Sequence, residues 1–147
     1  MAEIITLIAC GLFFLVGLLT GVWKYVVIRR SPDFRAPRYI VTSHRSAFMY
    51  SFACLVLLEL ARRSALSDPV ETVLVTFMIL FFAAAQGTYL LHGLLRDTDN
   101  QLARPHRLGS GTWPAPVITL FMATLIIVET TCFLILFLAA LGFRAIV

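Results

Sequence analysis

Lysine is almost missing from this chain. Lys24 stands alone among twelve basic residues, and the other eleven are arginine. A topological signal would be served equally well by lysine. The preference therefore points to the planar, bidentate recognition of carboxylate or phosphate that guanidinium provides. Cysteine is also scarce. Cys10, Cys54 and Cys132 each sit inside an apolar block with no paired spacing, which excludes a disulfide or zinc framework and leaves them as small buried hydrophobes. The histidines lack the companion cysteines or clustered carboxylates of a zinc site. His44 and His92 could in principle hold haem across two helices, but no attachment motif accompanies them. Asp97-Thr98-Asp99 opens like a calcium loop, yet glycine at the sixth position and glutamate at the twelfth are missing. No glycine-rich phosphate cradle is present. The basic segments are too short, and too closely tied to apolar blocks, to form a nucleic-acid platform. The apolar blocks do not alternate with polar residues, which excludes barrel strands.

What is present is apolar sequence. Of 147 residues, 60% are hydrophobic and the mean hydropathy is +0.91, above the roughly half-apolar composition of soluble domains. Four blocks predict an all-α integral membrane protein with a single four-helix domain over residues 1–147. The spans are expected at about 4–28, 40–62, 69–95 and 114–143. The first is too long for a signal-peptide core and has only Glu3 before it, so it is read as a retained span. It carries Gly17-x-x-x-Gly21, which allows a neighbouring helix to approach closely. The second span is the shortest in apolar terms, about Ser46 to Ala61, with its helix beginning near Tyr39. The third opens at Pro69, which suits a first helical turn where no amide hydrogen is needed. The third and fourth exceed the roughly 20 residues needed to cross, so they tilt or protrude.

Arginine asymmetry sets the expected orientation. The connection between the first two spans holds Arg29, Arg30, Arg35, Arg38 and Arg45, and the connection between the last two holds Arg96, Arg104 and Arg107. The opposite side has only Arg62, Arg63 and Arg144. By the positive-inside rule both termini face away from the cytoplasm, in what is read as a bacterial inner membrane.

Several ionisable groups stand out. Glu59 precedes Arg62 and Arg63 at helical spacing and predicts a local ion pair. Glu129 falls near the centre of the fourth span, beside Thr130 and Thr131. A carboxylate there is costly and is expected to face protein or a polar cavity. In the third span Gln86, Tyr89, Gly93 and Arg96 share one narrow helical arc, with His92 at its edge. Because the second and third spans run antiparallel, His44 and Arg45 are expected to meet Tyr89, His92 and Arg96 in one leaflet. Arg38 and Arg104 would add to the positive field. Each residue alone can also be read as an interfacial anchor or a snorkelling arginine.

Two segments carry a family resemblance. "YVVIRRSPDFRAPRYIVTSHRSAFMYSFACLVLLELA" places basic residues after the first helix and then a histidine opening the second. "YLLHGLLRDTDNQLARPHRLGSGTWPAPVIT" ends the third helix in a histidine-containing turn and follows with Arg-Leu-Gly. In this order the chain resembles the MAPEG superfamily, the membrane-associated proteins of eicosanoid and glutathione metabolism, as a divergent bacterial-type member. The resemblance implies four helices, a trimer, non-cytoplasmic termini and glutathione as a ligand class. It carries over His44, His92 and Arg107. The family pattern Arg-Ala-His-x-Asn-x-x-Glu becomes Thr42-Ser43-His44-Arg45-Ser46-Ala47-Phe48-Met49, so Ser46 and Met49 replace its asparagine and glutamate. Tyr89 stands where an arginine usually precedes the third-helix histidine. The replaced groups are those that hold glutathione in active members, so a glutathione-transferase activity does not follow from the resemblance.

The sequence thus leads to a homo-oligomeric membrane protein that binds an amphiphilic or anionic ligand, glutathione-like or lipid-like, at the cytoplasmic leaflet. A noncatalytic scaffold or accessory subunit in contact with membrane lipids, and a small transporter centred on Glu129, remain as alternatives.

Overall fold

The computed structural model describes residues 1–142. Helices α1 (Ala2–Arg30), α2 (Arg38–Arg63), α3 (Asp68–Leu95) and α4 (Ala115–Ala140) are each long and apolar enough to cross a membrane. The expected end of the fourth span at Phe143, and Arg144 beside it, lie outside the described residues. Between α3 and α4 the connection forms an antiparallel ribbon of β1 (His106–Leu108) and β2 (Gly111–Trp113). Its two-residue turn is Gly109-Ser110. Gly109 has φ +59° and Ser110 is not among the positive-φ residues, the pattern of a II′ hairpin turn, whose twist matches that of paired strands.

The helices run up and down. At one end, the Met1 amino group meets Asp68 at 2.5 Å and Glu3 meets Arg62 at 2.8 Å. Among the described residues Glu59 pairs with Arg63, at 2.5 Å, while Arg62 pairs with Glu3 of α1. These pairs are exposed and worth about 0–1 kcal/mol each. At the other end lie the two arginine-rich connections.

The closest packing is between α1 and α2. A Cβ added at Gly17 would meet the Phe48 ring at 2.8 Å, and one at Gly21 would meet His44 Cε1 at 2.9 Å. The two glycines therefore seat two rings of α2, as the small-residue spacing predicts. Cys10 and Ser51 close the same seam, with the serine hydroxyl donating to the Cys10 carbonyl at 2.9 Å. Cys54, Leu57, Val75, Met78, Phe82 and Leu136 form the centre of the apolar core. Helix α4 contributes least: only Cys132, Leu136 and Ala139 are buried along it. Much of its other apolar surface, at Leu120, Ile126, Ile127 and Leu138, faces outward, as does that of α1 at Leu7, Leu12, Leu19 and Val22. Such surface needs lipid or another protein chain against it.

Candidate functional site

The charged ends of the helices separate into two cavities, divided by the end of α3. The first is a crevice of about 710 Å³ at the junction of α1, the 31–37 connection and the start of α2. Its floor is Trp23, Val26 and Val27, and its rim carries Arg30, Arg35, Arg38 and Arg96. Asp33 and Asp99 also line it, so arginines outnumber acids two to one. Asp33 bonds to the Ser31 hydroxyl. That bond is the main reason its carboxyl is held below the usual carboxylate range. Among the described residues none of the four arginines is in an ion pair; the described pairs use Met1, Arg62, Arg63 and His92.

Arg96 reaches the crevice because it leaves the helix. It caps α3 with φ 51° and ψ 37°, its amide donating to the His92 carbonyl at 2.8 Å. The left-handed conformation costs a non-glycine residue about 1–2 kcal/mol. The expected arc of Gln86, Tyr89, Gly93 and Arg96 is therefore corrected at its end: helical geometry stops at Leu95, and the arginine swings toward the 31–37 connection.

The second cavity holds about 290 Å³ and lies between the end of α3, the ribbon and the start of α4. His92, His106 and Arg107 are on its wall with Leu91, Leu108, Trp113, Ile118 and Phe121. His92 is clamped. Its Nδ1 lies 2.8 Å from Asp97 Oδ1, and the two side chains are 8% and 4% exposed. The other carboxylate oxygen accepts from the Gly109 amide at 2.6 Å. Burial alone would raise the Asp97 carboxyl, but the hydrogen bonds from His92 and Gly109 outweigh it and leave the group below its ordinary value. Tyr39 packs on His92, with ring centroids 5.1 Å apart, and stacks on Tyr89 at 6.1 Å. The Tyr39 hydroxyl accepts from the Gln101 amide at 2.6 Å, and the Gln101 carbonyl faces His106 Nδ1 at 3.1 Å. One carboxylate and one phenol thus fasten the whole 97–109 connection to α2 and α3.

The residues singled out from the sequence separate accordingly. Arg38 and Arg96 share the crevice. His92 and Arg107 share the second cavity, and Tyr89 stacks beneath Tyr39. His44 does not join them: its Nδ1 donates to the Gly17 carbonyl at 2.9 Å. The expected meeting of His44 and His92 fails for a geometric reason. Ser43 faces α3, where Gln86 Nε2 donates to its hydroxyl at 2.8 Å. One residue further turns about 100° around the helix, which aims His44 at α1. Arg45 and Arg104 are exposed and line neither cavity. Gln86 is buried with its Oε1 unpartnered. Glu129 is half-buried on α4, within electrostatic range of Tyr50, and has no hydrogen-bond partner among the described residues.

The sequence reading missed Arg30 and Arg35 as site residues, along with Tyr39, Asp97 and His106. The Gly-Ser pair between His106-Arg107-Leu108 and Gly111-Thr112-Trp113 was the available signal for the ribbon. Comparison with family models, characterised proteins and solved structures finds no match to this chain.

Proposed function

We propose that this chain binds an anionic amphiphile in the arginine-rimmed crevice, at the headgroup level of the cytoplasmic leaflet, as a MAPEG-like membrane protein. The observation that carries the reading is the convergence of Arg30, Arg35, Arg38 and Arg96 on one apolar-floored crevice with no ion-pair partner for any of them among the described residues. Charge-assisted hydrogen bonds hold the anionic head, and Trp23, Val26 and Val27 take the adjoining hydrocarbon. A peptide carboxylate such as that of glutathione and a lipid phosphate share this chemistry. No nucleophile or general base is assigned to the crevice, so the proposed role is binding.

The test uses purified protein in phosphatidylcholine nanodiscs with three probes: dodecyl phosphate, dodecyl maltoside and glutathione. Saturable binding of dodecyl phosphate, absent for the neutral maltoside, supports the reading. Binding of glutathione as well would favour a peptide ligand over a lipid one. Equal binding of phosphate and maltoside would contradict it.

The outward apolar surface of α1 and α4 and the family resemblance support a homotrimer. Native mass spectrometry from mild detergent is expected to give three copies, and a monomer in every detergent tried would remove the trimer from the proposal.

A further inference from the structure

The cavity on the other side of α3 differs in chemistry from the crevice. It brings two imidazoles to one largely apolar wall. Each ring has its Nδ1 committed to an acceptor, His92 to the Asp97 carboxylate and His106 to the Gln101 carbonyl. A ring that donates from Nδ1 while neutral presents a lone pair at Nε2. Neither Nε2 has a partner among the described residues. Two oriented acceptors therefore border the cavity, and Arg107, exposed on the ribbon, lines it with a positive charge.

That set discriminates between head groups. An ammonium would meet Arg107 at close quarters. A carboxylate or phosphate would set its lone pairs against those of the two Nε2 atoms. A hydroxyl fits this set by donating its one proton to one of the two imidazoles and accepting from arginine. The rest of the wall is hydrocarbon, and Val117, Ile118, Phe121 and Met122 belong to the first two turns of a membrane-spanning helix. The volume is near the small end of the roughly 300–1,000 Å³ typical of ligand pockets.

We infer that this cavity is a second ligand site, built for a lipophilic alcohol, with the hydroxyl held between His92, His106 and Arg107 and the chain lying along α4. The assignment does not depend on the arginine crevice. One imidazole, that of His92 or His106, accepts the hydroxyl proton, while Asp97 and the Gln101 carbonyl are positioning groups that fix each ring's tautomer.

Trp113 lines the cavity and Trp23 lines the crevice. A Trp23→Phe background therefore leaves one fluorophore that reports on this site alone. In phosphatidylcholine nanodiscs, 1-decanol, decanoate and decylamine would be compared at equal mole fraction in the lipid. Decanol is expected to shift Trp113 emission saturably, with the other two at least tenfold weaker. His92→Phe and His106→Phe keep ring bulk but remove the acceptor, and the variant at the accepting ring is expected to weaken decanol at least fivefold, with the double variant no weaker in effect. His92→Phe also breaks the Asp97 pair, so Val117→Phe provides an independent variant: it fills the apolar half without touching that pair and is expected to abolish the saturable response. Equal responses to all three probes would overturn the assignment. So would a decanol response that survives Val117→Phe.

Discussion

His92 and Asp97 lie 2.8 Å apart across the end of α3, both almost fully buried, and the same carboxylate also accepts the Gly109 amide. One side chain thereby joins a membrane helix to the tip of the ribbon. Asp97→Ala should cost about 1–3 kcal/mol, the usual penalty for leaving buried donors without their acceptor. Asp97→Asn should cost less. Hydrogen exchange at Gly109 reads the loss locally: its amide should lose protection in both variants. Unchanged protection would mean that the ribbon is held by other contacts.

The same pair has a pH signature. Asp97 is depressed in the folded protein, so its contribution is fully present above the unfolded carboxylate value of about 3.9. It is lost as pH falls through the lower folded value. Protection at Gly109 should therefore persist at pH 5 and decline below about pH 4. A decline centred well above pH 5 would assign the transition to a different group.

The glycines make opposite predictions according to what surrounds them. Gly21→Ala forces its new carbon against His44, which cannot retreat without giving up its bond to the Gly17 carbonyl. Overpacking of this kind costs about 1–3 kcal/mol. Gly87 has nothing within 4 Å of its hypothetical Cβ, so Gly87→Ala should stabilise by about 0.5–1 kcal/mol through helix propensity. Unfolding titrations in mixed micelles compare the two directly. The same sign for both would contradict the packing of α1 on α2.

Much of the fold was legible because length and hydropathy determine a membrane helix almost alone. The four apolar blocks correspond to four helices, each long and apolar enough to cross a membrane. Gly17 and Gly21 were legible for a similar reason, since close helix approach requires the absence of a Cβ. The site was less legible. Helical periodicity placed Gln86, Tyr89 and Gly93 on one arc but carried Arg96 one residue too far, past the point where the backbone turns left-handed. It could not tell which side of α2 His44 would take, because that depends on whether Ser43 or His44 answers Gln86. Asp97 looked like a failed calcium ligand because its real partners, His92 and Gly109, are separated by most of the connection.

The arginine distribution predicts a topology that can be tested. With both arginine-rich connections at one end of the bundle, a reporter fused ahead of Met1 and one inserted near Ser31 should score on opposite sides, the latter cytoplasmic. Identical scores would remove the crevice from the cytoplasmic leaflet.

The most direct test of the central claim is a double-mutant cycle on the crevice. Arg38 and Arg96 come from different segments and are proposed to hold one anionic head. Either alanine substitution should weaken dodecyl phosphate binding in nanodiscs by about 1.5–3 kcal/mol, and Arg96→Lys should recover only part because the guanidinium fork is lost. The double variant should lose measurably less than the two single losses combined, since the two side chains share one ligand. Binding unchanged in both single variants would contradict the account.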